Sequence, residues 1–65
     1  MKWTANDLQI TSRSYVIEIY RDEYYLYVYE NGIDTHDYIK GSLEAAQNHA
    51  YSIFGVPIGT WTRVE

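Results

Sequence analysis

Two stretches near the middle of the chain alternate with a period of two. In "SYVIEIY", Tyr15, Ile17 and Ile19 fall on one side and Val16, Glu18 and Tyr20 on the other. In "EYYLYVYE", Tyr24, Leu26 and Val28 share one side while Tyr25, Tyr27 and Tyr29 share the opposite one. Alternation of this kind marks strands with one face on a core. The polar "RDE" between them suits a tight hairpin. A two-residue loop at Asp22-Glu23 sets Ile19 opposite Leu26 and Ile17 opposite Val28, so both apolar sets lie on one face, as register selection requires. The same pairing sets Tyr20 opposite Tyr25, Glu18 opposite Tyr27 and Val16 opposite Tyr29. Asp-Glu is not a favoured pair for a type I′ turn, and a longer loop in the same register is the alternative.

Asn31-Gly32 is a strong hairpin signal, because both residues tolerate the positive φ of a type I′ turn. "DTHDYI" is then a third strand returning beside the second. A two-residue turn sets His36 opposite Tyr27 and Tyr38 opposite Tyr25, and turns Ile39 toward the core. It also turns Asp37 toward the core, so that residue either lies at the rim or is moved by a bulge. Ser42 reads as a helix N-cap. "LEAAQNHAYSIF" has helical spacing, with Leu43, Ala46, Ala50 and either Ile53 or Phe54 forming one apolar stripe. Gly55 is a natural helix terminator and Pro57 prevents continuation. "TWTRV" reads as a last strand. Met1 to Ser12 has the weakest pattern; Trp3, Leu8 and Ile10 are its packing residues.

The elements assemble as βββαβ, an α+β fold with a small, mostly antiparallel sheet and one helix packed on one face. One helix covers one face of a sheet, so the row Tyr25, Tyr27, Tyr29 needs a separate explanation. With Tyr20 and Tyr38, and with Glu18, Asp34 and His36 among or beside them, these rings form a candidate protein-binding surface. Tyrosine offers a large, rigid contact area with a polar tip. The competing reading is that aromatic pairs simply stabilise the sheet, or that the N-terminal segment folds over this face.

At 65 residues the chain is a single domain, spanning 1–65. A domain of this size buries only roughly 60% of the surface its unfolded chain exposes. The absence of cysteine excludes disulfides and cysteine-ligated zinc. Its N-terminus lacks the apolar run of a signal peptide, and no stretch approaches the length of a membrane span, so the expected location is the cytoplasm. The net charge is −4, and Lys2, Arg13, Arg21, Lys40 and Arg63 are scattered. Direct binding to a nucleic-acid backbone is disfavoured, since it calls for clustered bases.

Candidate chemistry is sparse. His36 and Asp37 are neighbours on a strand and point to opposite faces; His36 and Asp34 alone do not make a metal site. His49 falls on the polar side of the helix. None of Ser12, Ser14, Ser42 and Ser52 lies in a nucleophile motif, and the glycines form no phosphate loop. The expectation is a non-enzymatic protein with no catalytic residues, no cofactor and no metal.

The segment "GSLEAAQNHAYSIFGVPIGTWTRVE" resembles the matching part of the small host RNA polymerase inhibitor of short-tailed coliphages. The shared features are the helix start Ser42-Leu43-Glu44, the alanines Ala46 and Ala50, the turn Val56-Pro57-Ile58-Gly59 and the final strand Thr62-Arg63-Val64. Helix starts of this type also occur in other small phage inhibitors of β-sheet-plus-helix build, anti-CRISPR proteins among them. The resemblance implies a phage or prophage origin and an inhibitor acting in the host cytoplasm. It adds Glu44 and Arg63 as interface residues; the family's second arginine is replaced here by Glu65. The implied partner is a host protein complex, RNA polymerase or a CRISPR effector. Anti-restriction activity, partial nucleic-acid mimicry and a homodimeric module are the alternatives.

Overall fold

A computed structural model describes all 65 residues. Four strands, a helix and a short final strand follow one another: β1 (Lys2–Asn6), β2 (Arg13–Tyr20), β3 (Glu23–Glu30), β4 (Ile33–Lys40), α1 (Leu43–Phe54) and β5 (Thr62–Arg63), with a 3₁₀ turn over Ile58–Thr60. All strand pairs are antiparallel, in the order β4-β3-β2-β1-β5. The helix carries the chain over one face of the sheet, from the edge at β4 to the edge at β5. The fold is therefore the expected small α+β sheet with one helix, extended by a strand that the N-terminal pattern did not reveal.

Both hairpins turn through two residues with positive φ: Arg21 (52°) and Asp22 (63°), then Asn31 (55°) and Gly32 (79°). These are type I′ geometries, whose twist matches that of the flanking strands. The first turn lies one residue earlier than expected. Ile17 therefore faces Leu26 and Tyr15 faces Val28, while Tyr20 faces Glu23, Glu18 faces Tyr25 and Val16 faces Tyr27. The shift is even, so every side chain keeps its face. It also sets Arg13 opposite Glu30 at the far end, where they form an ion pair at 3.4 Å.

The second hairpin contains a bulge. Tyr29 pairs with Asp34 but Val28 pairs with His36, leaving Thr35 as the extra residue. The Thr35 hydroxyl lies 3.3 Å from the Val28 carbonyl oxygen and 3.1 Å from Glu30 Oε2, which ties the bulge to β3. One extra residue reverses the faces of all that follows. His36 and Tyr38 thus turn toward the helix, and Asp37 and Ile39 turn away from it. This corrects the expected placement of Tyr38 and His36 beside the other tyrosines, and of Ile39 in the core. The physical reason is the one that made Asp37 awkward: without the bulge, a carboxylate would face the apolar side of the sheet.

The core lies between the helix and β1 to β3. Tyr15, Ile17, Leu26, Val28, Ala46 and Ala50 are fully enclosed, and Ala5 and Val56 nearly so. Alanines at the centre of α1 allow close approach to β3 and β4, while Leu43 and Phe54 pack at its two ends. Phe54 supplies the last apolar position of the stripe; Ile53 is exposed. Ile19, expected in the core, is only half-buried near the first turn. Ser42 caps the helix, its Oγ accepting from the Ala45 N–H at 3.0 Å. Gly55 ends it in the left-handed region at φ 73°, and its N–H donates to the Tyr51 carbonyl at 2.9 Å.

Strand β1 pairs with β2 through Trp3–Ile17 and Ala5–Tyr15, which puts Trp3 and Ala5 on the helix side. The loop after it is fixed by Asp7. Its Oδ1 accepts from the Gln9 and Ile10 N–H groups at 2.8 and 2.7 Å, and its Oδ2 accepts from the Tyr15 hydroxyl at 2.6 Å. Because Tyr15 points toward the helix, this loop is tied to the same side. The N-terminal segment extends the sheet sideways and leaves the opposite face open.

Candidate protein-binding face

The open face is built by the outward positions of four strands. Along β3, Tyr25, Tyr27 and Tyr29 project at every second residue. Tyr25 and Tyr27 are nearly parallel, at 11° and 6.2 Å between centroids, and Tyr27 and Tyr29 are 6.4 Å apart. Tyr20 continues the row from β2 at 6.5 Å from Tyr25. The result is a continuous ladder of four rings. The three on β3 are half-buried only by one another and by adjacent strand residues, and Tyr20 is 60% exposed. None of the four hydroxyls is hydrogen-bonded within the chain, in contrast to Tyr15.

Carboxylates flank this ladder on both sides. From β2, Glu18 stands opposite Tyr25; from β4, Asp37 stands opposite Tyr27 and Asp34 opposite Tyr29. Glu23, which precedes Tyr25 by two residues in β3, extends the acidic border. Burial among the neighbouring side chains, followed by the charges of Glu18 and Asp37, pushes the Tyr27 hydroxyl above its ordinary pKa. Desolvation, then a hydrogen bond with Asp37 and its charge, raises the Asp34 carboxyl; nearby His36 opposes this. Ile39, opposite Tyr25 and 57% exposed, adds an aliphatic margin. The face therefore combines aromatic surface with clustered negative charge.

The structure brings together Tyr20, Tyr25, Tyr27, Tyr29, Glu18 and Asp34 of the sequence candidates. It separates the other four. His36 and Tyr38 stack at 3° and 6.3 Å on the helix side, where Phe54 lies 5.7 Å from the His36 ring and His49 lies 4.3 Å from the Tyr38 ring. Glu44 is exposed on the first turn of α1, beside one edge of the sheet. Arg63 lies in β5 at the other edge, its Nε donating to the Glu65 carbonyl at 3.0 Å. These two do not share a surface with the tyrosine ladder.

Asp37, Ile39 and Glu23 also belong to the face, although the register expected from the alternation does not place them there. Asp37 and Ile39 became legible only with the bulge, which the awkward inward Asp37 had signalled. A polar cluster behind the sheet likewise has no mark in the sequence pattern. Burial, then the hydrogen bond to Asp7, pushes the Tyr15 hydroxyl up to about 12. The Tyr15 hydroxyl, followed by the backbone N–H of Ile10, holds Asp7 below the usual carboxylate range. A tyrosine so poor as an acid serves as a hydrogen-bond donor to Asp7 at neutral pH. His49, expected in solvent, packs on Tyr38; desolvation, then the charge of Lys40, lowers its pKa.

A cleft of about 290 Å³ opens where the loop Asn6–Ile10 meets Phe54, Val56 and Pro57. Its two charged side chains are engaged internally, Asp7 with Tyr15 and Arg13 with Glu30. No three His, Cys, Asp or Glu side chains converge as a set that could hold a metal ion. No helix is long and apolar enough to cross a membrane.

Comparison with family models, with curated proteins and with solved structures finds no match for this chain.

Proposed function

We propose that this chain is a non-catalytic, phage- or prophage-encoded protein that inhibits a host macromolecular machine by occupying one of its surfaces, and that the tyrosine ladder is the surface it uses. The observation that carries this reading is the ladder itself. Tyr20, Tyr25, Tyr27 and Tyr29 form an unbroken aromatic row on a sheet face that no other element covers. Aromatic patches of this kind on small domains mark interaction sites, and tyrosines are among the residues that dominate interface energetics. The clustered carboxylates favour a partner surface of positive charge.

Host RNA polymerase is the first target to test, on the resemblance of the helix and C-terminal segment. A basic nucleic-acid channel in an anti-CRISPR or anti-restriction target is the second reading, favoured by the gathering of Glu18, Glu23, Asp34 and Asp37 on one face. The deciding experiment measures promoter-dependent transcription by bacterial RNA polymerase with increasing amounts of the protein. Inhibition that is lost in Tyr27→Leu, with the circular dichroism spectrum unchanged, supports the proposal. Undiminished transcription at saturating protein removes the polymerase. Inhibition indifferent to Tyr27 and Tyr25 substitutions removes the ladder as the contact.

A further inference from the structure

The charge on the open face is one-sided. Glu18, Glu23, Asp34 and Asp37 face outward there, against two cations at the margins: Lys2, whose Nζ is held 3.5 Å from a Glu65 carboxylate oxygen, and Arg21 on the Tyr20 ring. Two such faces brought together would set like charges against each other, so a second copy of the chain is a poor occupant. The complementary occupant is cationic and must also suit a row of ring faces. Guanidinium groups meet both demands, since they stack on aromatic rings and bind carboxylates through paired N–H groups. The row already holds one: the Arg21 guanidinium carbon rests 5.4 Å from the centre of the Tyr20 ring at the end of the ladder.

Spacing narrows the occupant further. Ring centroids recur at 6.2 and 6.4 Å along β3. An extended peptide presents every second side chain to one side, at intervals of about 6.6–6.8 Å. A chain running along β3 above the face thus keeps step with the ladder for several residues. Glu18 on one flank and Asp37 on the other then stand within reach of side chains lying over Tyr25 and Tyr27.

We infer that the tyrosine ladder is a receptor for an extended, arginine-bearing segment of a partner protein, with alternate arginines lying over Tyr25, Tyr27 and Tyr29 and paired with Glu18 and Asp37. This rests on the reading of the ladder as the partner-binding surface and names the chemistry of what it binds. A helical ligand would present side chains at a different period, and a compact basic patch would show no preference for alternation.

Three synthetic octapeptides test it against the full chain: alternating Arg and Ser, alternating Lys and Ser, and an isomer of the first with its arginines in one block. Titration calorimetry measures affinity, and amide and ring chemical shifts locate the site. The alternating arginine peptide should bind most tightly, with the lysine peptide roughly fivefold or more weaker, because the planar cation stacks better. Shifts should concentrate on Tyr25, Tyr27 and Tyr29 and spare Tyr38. The double substitution Glu18→Gln with Asp37→Asn preserves shape and should weaken binding roughly tenfold or more at low salt. Tyr27→Leu keeps apolar bulk on the strand and should also weaken it. Equal affinity for all three peptides, shifts centred on the helix side, absence of binding, or self-association abolished by Tyr27→Leu would each overturn the inference. Polymerase inhibition that needs Tyr27 but is accompanied by no peptide binding would overturn the arginine assignment while sparing the interface.

Discussion

At the scale of single residues, the two sides of β3 make opposite demands. Leu26 is fully enclosed beneath the helix. Leu26→Ala should cost about 2–5 kcal/mol through lost burial and the cavity left behind, a large share of the stability of so small a domain, and thermal unfolding measures it. Tyr27, one position along, faces outward; its replacement by Leu should leave the melting temperature nearly unchanged while altering partner binding. Tyr15 and Asp7 give the chain a pH signature. Asp7 is lowered in the folded state, so its contribution is present above the ordinary carboxylate range and is lost as pH falls below that range through the lowered Asp7 pKa. Tyr15 is raised to about 12, so its contribution holds below about pH 10 and fades as pH climbs toward 12. Tyr15→Phe should flatten the alkaline limb of a stability–pH profile, and Asp7→Asn the acid limb. An unchanged acid limb in Asp7→Asn would show that other carboxylates govern it.

At the scale of elements, the turns and caps were readable because each depends on local chemistry. Asn31-Gly32, Ser42 and Gly55 do what their backbone and side chains favour, and their positions follow directly from residue type. The first hairpin was harder to place. Arg21 and Asp22 both adopt positive φ, which costs an L-residue roughly 1–2 kcal/mol, and neither announces a type I′ turn. Tertiary pairing prevails there: the observed register stacks Tyr15, Ile17, Leu26 and Val28 as two enclosed pairs. Arg21→Asn with Asp22→Gly should therefore stabilise the fold, by about 1 kcal/mol in chemical denaturation, through relief of the strained φ. Strand β1 was illegible for a related reason. "KWTAN" is short and carries no turn signal of its own, and it becomes a strand because β2 offers an unpaired edge. The bulge at Thr35 could be suspected from Asp37 but not located, since a one-residue insertion leaves no compositional mark. Its reversal of faces also puts His36 and Tyr38 on the side opposite to the one strict alternation predicts, whereas alternation alone places Tyr20, Tyr25, Tyr27 and Tyr29 on one face, as observed.

At the scale of the whole molecule, the arrangement separates support from exposure. The helix, the Asp7 loop and the aromatic cluster of Tyr15, Phe54 and Trp61 consolidate one side of the sheet, and the acids collect on the other. That collection has a cost in the free protein. Desolvation, followed by the hydrogen bond and the charge of Asp37, raises the Asp34 carboxyl. A raised carboxyl destabilises the fold once it ionises, so stability lost from this source should return as pH falls through the Asp34 pKa. Asp34→Asn should accordingly raise the melting temperature at neutral pH and have little effect in acid; a drop at neutral pH would mean that the carboxylate has a stabilising partner. The bulge beside it carries a further implication, for colloidal behaviour. β4 is an eight-residue strand with a bare backbone edge, the kind of border along which sheets of neighbouring molecules can fuse into fibrils. A kink at Thr35, in a strand that bears Asp34, Asp37 and Lys40, makes that border a poor template. Deleting Thr35 and neutralising the two aspartates would straighten and discharge it, and the expected result is a protein that stays folded yet slowly forms thioflavin-positive fibres in concentrated solution.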